Sequence, residues 1–133
     1  MTWTPAQTNT HQDHVIAHVI GATPLGHFIW DETAYLLLDI GFVWNIYLDG
    51  EMGLVPQSLA INELEADDAK KSELRSYVDQ WMQSGNQEAS PIESIELFES
   101  EDGRRLVVTC EEHELVIETS LSHRWTRIDT QSR

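Results

Sequence analysis

The chain of 133 residues has no lysine or arginine before Lys70, a single cysteine, four prolines and seven glycines. Each scarcity closes a class of explanation. A secretory signal needs a basic n-region and a mitochondrial presequence is rich in arginine, so the cation-free start points to the cytoplasm. A bilayer-spanning helix needs ~20 apolar residues, and the most hydrophobic region, residues 35–48, is interrupted by Asp39, Gly41 and Asn45. Cys110 has no internal disulfide partner, as expected of a reducing compartment. With few Gly and Pro and 41% hydrophobic residues, the chain is neither low-complexity nor disordered. Walker A, GxGxxG, GxSxG, HExxH and paired CxxC motifs are all missing. No cofactor is expected.

What remains is a small, soluble, acidic chain with an uneven charge. Twenty-three carboxylates oppose eight Lys and Arg for a net charge of −15. Ten of the carboxylates precede Lys70, so residues 1–69 carry −10 and the remainder −5. Replacing the counterions of a phosphate backbone requires Lys and Arg, so direct nucleic-acid binding is not expected. The length suits one α+β domain over residues 1–133, since domains run to roughly 100–200 residues. Residues 1–12, without periodicity, read as a partly ordered arm.

Period-two patterns dominate the two ends of the chain. Residues 14–20 (His-Val-Ile-Ala-His-Val-Ile) are rich in β-branched side chains and read as a strand that Gly21 to Pro24 stops. Residues 26–30, 34–40, 43–48 and 51–55 continue a meander, with turns at Asp31-Glu32 and Asp49-Gly50. Residues 62–84 change to a period of 3.6. Leu74, Tyr77, Val78 and Trp81 follow i, i+3, i+4, i+7 spacing, and Met82 widens the stripe. Asn62 with Glu65 resembles a capping box, Gly85 a C′ stop, and Asp67–Lys71 and Arg75–Asp79 are i, i+4 pairs. A break near Lys70 is compatible with the apolar-poor first half. Beyond Pro91 a second meander follows: residues 92–99, 106–111, 115–119 and 125–128. The expected fold is α+β: a mainly antiparallel sheet of two β-meanders, with one long helix between them packed on one face.

Candidate sites are few. Neutral imidazoles suit a transition metal, and in a strand His14 and His18, the weak metal candidates, project on the same side, which does not by itself require shared ligation. As a helix, the same segment would place His11, His14 and His18 together, with Asp13 on the flank. The competing expectation is histidines on an exposed face. Asp39 interrupts an apolar strand, where a charge must be paired, exposed or protonated, and alternation exposes it at little cost. Along residues 42–48, Phe42, Trp44, Ile46 and Leu48 read as core, leaving Val43, Asn45 and Tyr47 on a semi-polar face. Asn45, Tyr47 and Asp39 are therefore the binding candidates. The five tryptophans (Trp3, Trp30, Trp44, Trp81, Trp125) read mainly as structural. Cys110, on the apolar parity of its strand and followed by Glu111 and Glu112, reads as a buried hydrophobe, not a nucleophile partnered by His113. No catalytic residue emerges, because carboxylates without a positioned partner define no reaction.

Composition thus favours a non-enzymatic protein-interaction module over an enzyme. Its negative field suits a basic partner, as in an antitoxin-like inhibitor or nucleic-acid mimic, and a sheet edge suits a homodimer. The alternative is a small-molecule or metal-dependent site built on the first meander.

Overall fold

Residues 2–84 and 89–133 are described by a computed structural model; Gly85, read as the stop of the long helix, lies outside them. Two antiparallel sheets carry the architecture. The first is a meander of β2 (Pro24–Trp30), β3 (Thr33–Leu38), β4 (Phe42–Ile46) and β5 (Met52–Pro56). The second orders β1 (Thr4–Pro5), β6 (Ile92–Glu99), β7 (Gly103–Cys110), β8 (His113–Ser120) and β9 (Trp125–Ser132) as β1-β6-β7-β8-β9. Between the meanders lie α2 (Gln57–Ala60) and the long α3 (Asp68–Ser84). This is the α+β arrangement that the change of period indicates, with the strands in two sheets.

Alternation along the strands explains the layers. Leu36, Leu38, Trp44 and Ile46 face the second sheet and pack in one core with Leu106, Val108, Leu115 and Ile117. Leu37 and Val43 point the other way, into a second core with Ala60, Ile61, Leu64, Leu74 and Val78. The first sheet is therefore covered on both faces, which is why residues 34–38 read as a continuous apolar run instead of an alternating one. Each fully buried Leu, Ile or Val contributes roughly 1.5–3 kcal/mol relative to exposure.

Residues 14–20 depart from the sequence expectation. They belong to α1 (Thr10–Val19), not to a strand. Asn9 accepts the Gln12 N–H at 2.8 Å while the Gln12 side chain accepts the Asn9 N–H at 2.9 Å, a capping box just upstream of the β-branched run. Gln12, Val15 and Val19 then fall on one buried face at i, i+3, i+7, and the two valines join the inter-sheet core. That burial outweighs the few tenths of a kcal/mol by which valine and isoleucine disfavour a helix.

Asn62 does not cap α3. Asp67 does, its Oδ1 accepting the Lys70 N–H at 2.8 Å. The turn at residues 61–64 buries Ile61 and Leu64 against the first sheet before the helix starts. Lys71 and Arg75 reach back to the Asn62 carbonyl and side chain, respectively. Among the described residues no helix is long and apolar enough to cross a membrane.

Turn chemistry also differs in detail. Asp31 and Glu32 have φ of 48° and 68°, the two left-handed residues of a type I′ hairpin. At the Asp49-Gly50 turn only Gly50 is left-handed, with φ of 88°. Its N–H donates to the Tyr47 carbonyl at 2.9 Å, which makes Leu48 and Asp49 the central residues.

Candidate functional site

The histidines of α1 do not assemble a metal site. His14 and His18 are exposed, and His18 Nδ1 lies 2.8 Å from the His14 carbonyl. His11 turns away, its Nε2 standing 2.9 Å from the Met52 carbonyl. Among the described residues no three His, Cys, Asp or Glu side chains converge on one point. Asp39 sits just past β3, exposed, and brackets the chain ahead of β2. Its Oδ1 accepts the Thr23 N–H at 2.9 Å and its own N–H donates to the Thr23 carbonyl at 3.0 Å. Neither His14 nor His18 meets Asp39.

The other two candidates separate by burial. Tyr47 is 41% exposed, whereas Asn45, on the same side of β4, is only 7% exposed. The semi-polar face of Val43, Asn45 and Tyr47 is therefore open only at Tyr47, since Val43 lies in the core beneath α2 and α3 and Asn45 is buried. Across the sheet Asn45 is flanked by Tyr35 and by Gly53, which has no side chain. Its Oδ1 is buried without a hydrogen-bond partner among the described residues. Tyr35 stacks on Phe28 at 4.8 Å between ring centroids. Burial pushes its phenol above the usual range, with Tyr47 and Asp31 adding to the effect and a hydrogen bond with Thr33 opposing it.

At this end of the molecule three hairpin tips meet. The β2–β3, β4–β5 and β8–β9 turns enclose a hollow of about 390 Å³ lined by Asp31, Glu32, Thr33, Tyr47, Leu48, Asp49, Leu121 and Arg124. Arg124, itself left-handed with φ of 56°, holds Glu32 through two bonds of 2.9 and 2.7 Å. Thr126 Oγ1 donates to the Glu32 carbonyl at 2.6 Å. These bonds tie the second sheet to the left-handed turn of the first. Behind them Asp102 accepts from the Ser120 hydroxyl at 2.5 Å and the Ser122 N–H at 2.8 Å, which hold its carboxyl down at about 2.

A larger cleft, about 760 Å³, opens at the opposite end between the edge strands β2 and β9. Residues 24–27, Trp81, residues 112, 113 and 115, and residues 130–132 line it. Its shape depends on Gly26, whose backbone the Trp81 indole covers; a Cβ there would stand 2.5 and 2.7 Å from Trp81 Cε2 and Cε3. His27 and His113 both face this space. Desolvation lowers the His27 pKa although the residue as a whole is exposed. His113 Nδ1 lies 3.2 Å from the buried Ser90 hydroxyl, which accepts the Glu112 N–H at 2.9 Å. The Ser90 contact engages Nδ1, so Nε2 is the ring's remaining polar atom.

Sequence reasoning placed His113 in a turn and passed over Ser90, Thr130 and Ser132. The available signal was parity, since His113 shares its side of β8 with Leu115 and Ile117. The Ser90–His113 contact spans 23 positions and leaves no local pattern. Cys110 is buried, and burial pushes its thiol up to about 11, with Glu93 adding and Arg133 opposing. It is a core side chain. Comparison with protein-family models, with curated proteins and with solved structures finds no match to this chain.

Proposed function

We propose that this protein is a non-enzymatic interaction module whose hairpin-tip end receives a basic segment of a partner protein, in the manner of an antitoxin-like inhibitor covering a basic active site. The observation that carries this is the hollow in which Asp31, Glu32 and Asp49 surround the exposed Tyr47, while the one lining cation among the described residues, Arg124, is engaged by Glu32. Acceptors outnumber donors there. A lysine or arginine side chain supplies the donors and the opposite charge, and tyrosine is a frequent anchor at such interfaces.

The proposal includes a cytoplasmic setting, in keeping with the single buried thiol, and no direct contact with nucleic acid. Pairing of two copies through a free sheet edge is compatible with it, because β2 and β5 each end a sheet.

Binding to a panel of basic nucleases and DNA-binding proteins tests the proposal. The measurement is made at about 20 mM and about 300 mM salt, between which the Debye length falls from roughly 20 Å to roughly 6 Å. Low-salt binding that weakens at high salt, and that drops about tenfold or more in Asp31→Asn/Asp49→Asn, is the expected result. Absence of affinity for every panel member at low salt, or equal affinity of the double variant, overturns it.

A further inference from the structure

The cleft between β2 and β9 is independent of the hairpin-tip hollow and has a chemistry of its own. By alternation, His27 pairs with the core residue Leu36, His113 shares its side of β8 with the core residue Leu115, and Leu115 pairs with Thr130. Ser132 pairs with His113. These are inter-sheet positions, where an aliphatic side chain would extend the core. The chain instead places two imidazoles and two hydroxyls on them. Leu115 contributes an apolar surface and Trp81 an aromatic one.

The open edge of β2 adds a second set of groups. Trp30 and Thr33 close a two-residue hairpin, so hydrogen-bonded pairs alternate back from them and the His27–Leu36 pair is a non-bonded one. Its His27 N–H and C=O consequently point away from β3, toward the free edge. A donor and an acceptor side by side match the edge of a cyclic amide or a nucleobase. Charge narrows the class further, since among the described residues no Lys or Arg lines the cleft and Glu112 does. An anion is disfavoured. The volume, about 760 Å³, lies within the roughly 300–1,000 Å³ of small-molecule sites.

We propose that this cleft binds a small uncharged heteroaromatic or cyclic-amide molecule, held by the His27 backbone edge and the His113 imidazole and packed against Trp81 and Leu115. The Ser90 hydroxyl contacts the His113 ring at Nδ1. A strand from another chain, the competing occupant, would find a short stretch of edge, because the register of β2 shifts between Pro24 and Gly26.

The test is a nuclear magnetic resonance titration of the ¹⁵N-labelled full chain with adenine, uracil and nicotinamide as neutral probes, and with their anionic counterparts adenosine monophosphate, uridine monophosphate and nicotinate. At least one neutral probe is expected to shift the Trp81 indole, His27 amide and His113 ring signals together, and to do so at lower concentration than its anionic counterpart. Thr130→Trp, at an exposed edge-strand position, fills the cleft and is expected to abolish these shifts while leaving the far-ultraviolet circular dichroism spectrum and the other amide signals in place. If no neutral probe shifts these signals up to about 10 mM, a weak limit for fragment-sized ligands, the proposal fails. It fails equally if the anions bind more tightly, if Thr130→Trp leaves binding intact, or if the only occupant found is a second copy of the chain.

Discussion

Replacing Gly26 by alanine should destabilise the protein in one background and stabilise it in another. The added Cβ would stand 2.5 Å from Trp81 Cε2 and 2.7 Å from Cε3, where unstrained carbon contacts are about 3.5–4.0 Å. The indole must therefore retreat by about 1 Å, an overpacking that costs about 1–3 kcal/mol. Gly26 does not have positive φ, so alanine suits its backbone and restricts the unfolded chain, a gain of about 0.4–1 kcal/mol. The net expectation is a loss of about 1–2 kcal/mol in the wild type. In a Trp81→Ala background the obstacle is gone and only the gain remains. The coupling energy of the pair is then about 1–3 kcal/mol, in the range found for residues in contact. Urea denaturation of the four proteins, followed by far-ultraviolet circular dichroism, measures the cycle without relying on tryptophan fluorescence. An alanine effect of the same sign and size in both backgrounds would refute the packing of Trp81 on Gly26, and with it the wall of the cleft.

Gly103 is a harsher case, because a Cβ there collides with the backbone carbonyl of Thr119 on the neighbouring strand. Gly103→Ala should cost more than about 3 kcal/mol or prevent folding, and ordinary thermal stability would contradict the placement. Asp102 has a folded pKa near 2, depressed from 3.8, so its contribution is present above pH 4 and is lost as pH falls through about 2. Asp102→Asn should lose stability at neutral pH and flatten that acid limb, seen as a smaller change in melting temperature between pH 5 and pH 2. Asn45→Val removes a buried unpaired acceptor from β4 and should raise stability by about 1 kcal/mol. A lower urea midpoint for the variant would contradict the unpaired state of that oxygen. Cys110 is buried with its thiol raised to about 11, so alkylation at pH 8 should proceed only through unfolding and track denaturant concentration.

Legibility in the sequence followed the range of the interactions. The second meander and the period-3.6 stripe are local patterns; the structure keeps the strands and buries Leu74 and Val78 of the stripe with Trp81 partly buried against them, while Tyr77 and Met82 at its margins are exposed. Residues 14–20 read as a strand by their β-branched content, but the Asn9–Gln12 capping box starts a helix there, and the core that receives Val15 and Val19 comes largely from strands later in the chain. The first turns of the long helix failed for a related reason: Asn62 and Asp67 are both capping residues by type, and burial of Ile61 and Leu64 selects the second. Alternation puts Asn45 on the semi-polar face with Tyr47, yet Asn45 is buried and Tyr47 exposed. Alternation identifies the two faces of a strand, but whether a layer covers a face depends on the rest of the fold.

From its own residues the chain determined two antiparallel meanders, a helix between them, a burial role for Cys110 and the gathering of negative charge ahead of Lys70, since these follow from periodicity and composition. The tertiary structure alone decided that the first sheet is covered on both sides, that three hairpin tips bring Asp31, Asp49 and Tyr47 together, and that His27 and His113 face one cleft. The physical reason is distance along the chain: Glu32 meets Arg124 across 92 positions. Such pairs are joined by the packing of one sheet on the other, and no local pattern records them.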